Sequence, residues 1–104
     1  MKNLAQFKNR IKVGVRIKGT YHMAFMGRNQ DNSPIFGDKD LGIREVSFKR
    51  SNDFALKTTR IDGSIVDSWC NYPKASKCRF NGQDSITILD GELNPVLTYE
   101  FINN

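Results

Sequence analysis

Lys2, Lys8, Arg10, Lys12, Arg16 and Lys18 are the only charged side chains in the first eighteen residues, and all six are basic. The other 86 residues carry ten basic and eleven acidic side chains, so the formal net charge of +5 is a local property of the N-terminal segment. Within Ile11-Lys12-Val13-Gly14-Val15-Arg16-Ile17-Lys18 basic and β-branched residues alternate. An extended chain puts alternate residues on one face, so this pattern describes a strand with a basic side. Such a face suits the recognition of oxyanions: phosphate backbones, whose binding weakens steeply with salt, or carboxylates on an acidic protein.

Nucleophilic and metal chemistry have less to work with. His22 is the one histidine, and with Cys70 and Cys78 it falls one ligand short of a tetrahedral zinc site at a spacing that matches no common ligand pattern. A nucleophile pair of His22 with either cysteine would have to be assembled across about fifty residues without a local motif. Asp31, Asp53, Asp62, Asp84 and Asp90 lie in turn-forming stretches, and turn chemistry accounts for them. Asp38-Lys39-Asp40-Leu41-Gly42 starts like a calcium loop, but its glycine comes one position early and no glutamate closes it. The expectation is a protein without catalytic residues, metal or cofactor, one that works by binding.

At 104 residues, 38% hydrophobic and 26% charged, the chain is sized for a single domain, residues 1–104, around one modest core. No apolar run approaches the ~18 residues of a membrane span, and Asn3-Leu4-Ala5-Gln6-Phe7-Lys8 is too polar for the apolar region of a signal peptide. The chain is therefore expected in the cytoplasm, with no membrane partner. A short hairpin would permit a disulfide between Cys70 and Cys78, but reducing conditions argue against it and favour two small apolar residues flanking a turn at Tyr72-Pro73. Trp69, the one tryptophan, is expected first as a core anchor, because a small domain needs its largest side chain for burial.

The elements that position these residues are signalled by alternation and turn chemistry. Asn3 and Gln6 have capping-box spacing ahead of Leu4, Phe7 and Ile11, which predicts a short helix over 4–9. Residues 11–102 then read as about eight strands: 11–18 and 21–27 around Gly19-Thr20, 43–50 and 54–61 around Ser51-Asn52-Asp53, and 64–70 after Asp62-Gly63. Asn81-Gly82 separates 77–80 from 85–89, and Asn94-Pro95 leads into 96–102. The fold class is mainly β, a single-domain antiparallel meander curled into a small barrel or half-barrel with a short N-terminal helix. Residues 28–41 are expected to be a long loop tacked to the barrel rim by Ile35, Phe36 and Leu41.

The first hairpin decides what the basic face looks like. An odd-length turn puts Val13, Val15, Ile17, Tyr21, Met23 and Phe25 on one face, whereas a two-residue turn at Gly19-Thr20 would scatter apolar residues to both. The odd turn leaves an outer patch of Arg10, Lys12, Arg16, His22 and Arg28, with Lys18 at the tip and Gly14 and Ala24 keeping its middle flat. Charged residues on an edge hairpin also serve simply to prevent sheet-to-sheet aggregation. No helix-turn-helix, zinc finger or ribonucleoprotein signature accompanies the patch, so base-specific readout is not expected.

At residues 44–58 (Arg-Glu-Val-Ser-Phe-Lys-Arg-Ser-Asn-Asp-Phe-Ala-Leu-Lys-Thr) and 67–75 (Asp-Ser-Trp-Cys-Asn-Tyr-Pro-Lys-Ala) the chain resembles small uncharacterised proteins of phages and mobile genetic elements of Gram-positive bacteria. The resemblance implies a setting in which short basic proteins act on host machinery or on nucleic acid, and it assigns no catalytic or binding residue. Two expectations follow. The first is backbone-directed binding of DNA or RNA through Arg10, Lys12, Arg16, Lys18, His22 and Arg28. The second is a modulator or inhibitor that docks on an acidic host protein, with Phe36, Trp69 and Tyr72 as aromatic anchors. Either would act as a monomer or as a dimer joined through an edge strand.

Overall fold

Asn3 opens the first element as its spacing predicts: its Oδ1 accepts the Gln6 N–H at 2.9 Å, and Gln6 Oε1 accepts the Lys2 N–H at 2.6 Å. The resulting helix, α1 (Leu4–Arg10), is one residue longer than expected. The computed structural model describes residues 1–102. After α1 come β1 (Arg16–Arg28), β2 (Pro34–Lys49), β3 (Asp53–Thr59), β4 (Ile65–Asn71), a 3-10 turn (Ala75–Lys77), β5 (Cys78–Asn81), β6 (Ser85–Leu89) and β7 (Pro95–Phe101).

All seven strands join one antiparallel sheet in the order β4-β3-β2-β1-β7-β6-β5. The chain passes directly from β4 to β5, the two edges of that sheet, and Asn71 and Cys78 bound the connection. Seven residue steps reach at most about 25 Å, whereas seven flat strands would put their edges about 29 Å apart. The sheet must curl, and since its edge strands do not pair, it is an open half-barrel.

Phe7 fills the inside of the curl. Its ring lies 5.8 to 6.3 Å from those of Phe54, Tyr72, Tyr99 and Phe101, which come from both halves of the sheet and the β4–β5 connection. Ile11, Ile17, Val46, Leu56 and Ile86 complete the core. A seven-residue helix is too short to persist alone, so packing and tethers hold it. The N-terminal ammonium donates to Gly82 O at 2.9 Å and Lys49 Nζ to Lys8 O at 2.7 Å, tying α1 to the β5–β6 turn and to the end of β2.

Three loops share one geometry. In residues 29–33, 60–64 and 90–94 the first N–H donates to the fifth carbonyl and the fourth N–H to the first carbonyl, at 2.8 to 3.1 Å. The fourth residue of each is left-handed, at φ 71° for Asn32, 86° for Gly63 and 65° for Leu93. Asparagine and glycine accept that conformation readily; leucine is strained in it.

Six expectations need correction. Gly19-Thr20 is no turn, because β1 runs straight through it, and Gly19 is buried opposite Gly42 and Tyr99. The break comes earlier: Gly14 sits at φ +95° and Val15 N–H donates to Lys12 O at 3.0 Å, so residues 12–15 are a turn and Gly14 flattens no sheet. The expected apolar face dissolves accordingly, with Ile17 buried but Val13, Tyr21 and Phe25 exposed. Residues 28–41 are mostly strand, since β2 starts at Pro34 and only residues 29–33 form a loop. Merging 11–18 with 21–27 also makes the strands seven rather than eight.

Trp69 is the sixth. It alternates with inward-facing Ser68 and Cys70 along β4, stands 48% exposed on the outer face, and is not in the core. Among the described residues no helix is long and apolar enough to cross a membrane.

Candidate docking surface

β1 pairs with β7 only from Ile17 to Tyr21, but with β2 it continues to Arg28. Past Tyr21 the two strands therefore leave the sheet as a two-stranded arm. Bulges in the register between Tyr21 and Ala24 and between Phe25 and Gly27 twist it. Phe25 stands directly opposite Phe36, while Met26, the extra residue of the second bulge, lies over Gly37. Phe25, Met26, Ile35 and Phe36 are 58%, 60%, 39% and 52% exposed, so the arm shows apolar side chains on both faces.

The arm is nevertheless ordered by its tip and its root. At the tip Asp31 Oδ1 accepts from Ser33 N–H and Oγ–H at 3.0 and 2.5 Å, and Arg28 donates to Asn32 O at 3.0 Å with its guanidinium 5.4 Å from the Phe25 ring. The Ser33 hydroxyl and amide hold the Asp31 carboxyl below the ordinary range. At the root His22 bridges arm and body, with Nδ1 2.7 Å from Asp38 on β2 and Nε2 2.7 Å from Thr98 Oγ1 on β7.

That bridge continues across the outer face of the sheet. Thr98 Oγ1 lies 2.9 Å from Thr87 Oγ1, which Asn81 Nδ2 reaches at 2.7 Å. The amide donates at one end and the carboxylate accepts at the other. In the His22 tautomer that carries its proton on Nδ1, Nε2 accepts from Thr98 and each hydroxyl donates in the direction of Asp38. The arrangement resembles an acid–histidine–hydroxyl series, but the hydrogen bonds show only a polar ladder that fastens β2, β1, β7, β6 and β5 side by side.

The residues expected to form one basic patch are dispersed. Arg10 is committed to Asp84 at 2.7 Å and to Gln83 O at 2.6 Å, with its guanidinium 4.2 Å from the Phe101 ring. His22 is engaged as above. Arg28 stands at the arm tip, about 30 Å along the strand from Lys18. Lys12 and Arg16 remain exposed four residues apart at the two ends of the 12–15 turn, and half-buried Lys18 lies between Ile43 and Glu100. The arm itself carries Arg28 against Asp31 and Asp38, so it is not basic.

Of the expected aromatic anchors, Phe36 is on the arm. Tyr72 instead packs inward on Phe7 and Phe54, beneath Lys8, with its hydroxyl buried and unbonded. Burial is also the main cause that pushes that hydroxyl's pKa upward. Trp69 belongs to a second exposed cluster: its ring stacks on Phe48 at 5.7 Å and Arg50 lies 4.1 Å from its centroid. The two rings close over Ala55, their common neighbour on β3, which is fully buried beneath them. Arg50 is paired with Asp53 and Lys57 with Glu45, so this platform is close to neutral.

Met26, Phe48 and Arg50 were not singled out from the sequence, and Ile35 was expected only to tack a loop to the barrel rim. Signals existed for some of them: Asn29-Gln30-Asp31-Asn32-Ser33 is a five-residue turn sequence, and strict alternation through Val66, Ser68 and Cys70 puts Trp69 outside. Cys70 and Cys78 are half-buried free thiols, and burial pushes the Cys78 thiol up. No three His, Cys, Asp or Glu side chains among the described residues gather to hold a metal ion. A scan against protein-family models, a search of curated proteins and a search of solved structures each find no match to this chain.

Proposed function

We propose that the protein acts as a modulator that docks on another protein, with the arm as its principal contact. One observation carries this reading: four large apolar side chains stand exposed on a ribbon that has no third strand to cover them. Two strands alone are marginal in water, and exposed aromatic, Met and Arg side chains are the residues that dominate interface energies once covered. With more carboxylates than bases, the arm does not attract a phosphate backbone. The Phe48–Trp69 platform is a second contact on the same terms. A host protein is the partner that fits the phage-like setting.

A photo-crosslinking residue placed at Met26 identifies the partner, and a binding titration then measures it. Phe25→Ser with Phe36→Ser should weaken that complex by about a hundredfold or more, as two lost anchors do, with the circular dichroism unchanged. Undiminished binding by the double variant removes the arm from the interface.

A second reading is supported by Lys12 and Arg16, which are exposed and have no ion-pair partner among the described residues. With Lys18 they form a short basic strip suited to phosphate contacts. Labelled DNA and RNA should then bind at about 50 mM salt with an affinity that falls steeply as salt rises. A Lys12→Glu, Arg16→Glu variant should abolish it, and no binding at low salt ends that reading.

A further inference from the structure

The inner face of the curl changes character away from α1. Near the helix, β2 and β3 present Val46, Phe54 and Leu56, all fully buried. Two residues further from the helix the same inward positions hold Arg44 on β2 and Thr58 on β3, with Ser68 across from Leu56 on β4. Gly42 and Gly19 face each other beside them. A methyl group on Gly19 would only just reach Arg44 Nη2 and Leu41, at 3.4 Å each, so the guanidinium lies over bare backbone.

Arg44 is short of acceptors. A guanidinium has five N–H donors. Among the described residues Nε is buried with no partner, and Nη1 reaches only Thr58 Oγ1, at a long 3.4 Å. No carboxylate pairs with it among the described residues: the ion pairs join Arg10 to Asp84, His22 to Asp38, Arg50 to Asp53 and Lys57 to Glu45. The nearby strand acids Asp40, Glu45, Asp67 and Glu100 alternate to the outer face. A buried N–H such as this Nε left unpaired is costly, and such groups are normally satisfied by something.

Two hydroxyls stand ready beside it. Thr58 Oγ1 and Ser68 Oγ are 2.8 Å apart, and both residues, like Arg44, are half-buried and so reachable from solvent. Burial pushes the Tyr99 hydroxyl's pKa up, aided by Cys70 and opposed by the Arg44 charge.

We propose that this mouth of the half-barrel binds a small oxyanion, a carboxylate or a phosphate, gripped by the Arg44 guanidinium with one hydroxyl of the hydrogen-bonded Thr58–Ser68 pair as a further donor. The site lies inside the curl, apart from the arm, so it adds a ligand to a docking protein and stands whether or not the arm reading holds.

The test is an NMR titration of isotope-labelled protein at low ionic strength with sodium phosphate and, separately, sodium acetate, using sodium chloride as the control. The Arg44 Nε–H resonance and the amides of Thr58 and Ser68 should shift and saturate with at least one oxyanion and not with chloride. Tighter binding of phosphate marks a phosphoryl ligand, and tighter binding of acetate a carboxylate. Arg44→Gln should weaken binding by about tenfold or more, the value of a charge-assisted hydrogen bond. Lys2→Gln, which removes an exposed cation ahead of α1, should leave it unchanged. Should Arg44→Gln lose its amide dispersion, Thr58→Val serves instead, with a loss of about threefold to tenfold. Shifts that never saturate, that match those with chloride, or that survive both Arg44→Gln and Thr58→Val overturn the proposal.

Discussion

The body and the arm are both antiparallel β structure rich in large apolar residues, yet they treat those residues oppositely. In the body Phe7, Phe54, Tyr99 and Phe101 are at most 4% exposed, because a curled sheet and a helix enclose them from several sides. In the arm Phe25 and Phe36 face each other across one ladder and then face water. Apolar content and strand periodicity are therefore the same in the two regions. What differs is the number of neighbouring elements, which is how hydrophobic surface becomes either a core or a contact.

Several measurements break or sharpen that contrast. Phe7→Ala should cost about 3–5 kcal/mol in urea unfolding, as large-to-small changes in a packed core do, while Phe25→Ala should stay within about 0.5 kcal/mol. Equal losses would erase the distinction between core and arm. His22→Ala removes the bridge at the arm's root and should cost about 1–2 kcal/mol. Its signature in hydrogen exchange is local, with residues 23–28 and 34–38 opening faster while β3 and β4 keep their protection; uniform loss would mean that arm and body unfold together. Trp69→Ala should cost about 1 kcal/mol through the lost stack on Phe48 and leave a folded protein, whereas a loss on the scale of Phe7 would return Trp69 to the core.

The smaller effects concern the loops. Leu93→Gly relieves a left-handed leucine and should raise stability by about 0.5–1 kcal/mol, net of glycine's greater unfolded freedom. Asp31, Asp62 and Asp90 are held below their ordinary range, the first two by Ser33 and Ser64 and the third chiefly by the Asn94 N–H. In the unfolded chain they titrate near about 3.9, so the folded chain binds fewer protons there. Their contribution is complete above that value and is lost as the pH falls through the folded values. Acid unfolding followed by circular dichroism should be shallower in the Asp31→Asn, Asp62→Asn, Asp90→Asn triple variant, and an unchanged slope would remove these carboxylates from the acid transition.

Much of this fold was legible in particular residues. Asn3 and Gln6 announced α1, Ser51-Asn52-Asp53 the β2–β3 turn, and Asn81-Gly82 the β5–β6 turn, because each places side-chain acceptors or left-handed residues where a local turn needs them. Gly19 misled for the opposite reason. It serves close approach of Arg44 and Leu41 from another strand, and nothing in its neighbours in sequence records that. The basic patch failed in the same way. Alternation placed Arg10, Arg16 and His22 on one face of a hairpin, but the partners that engage His22 and Arg10 lie 16 to 76 residues away.

The sequence by itself determined the class of the structure: a mainly β chain, a capped helix at its start, and tight turns at defined places, all consequences of interactions within a few residues. Only the tertiary structure decided which apolar residues became core, which basic residues stayed available, and that Arg44 faces inward without a counter-charge. Those outcomes depend on strand order and curl. A one-residue bulge reverses the face of every side chain beyond it, and local pattern carries no record of where such bulges fall.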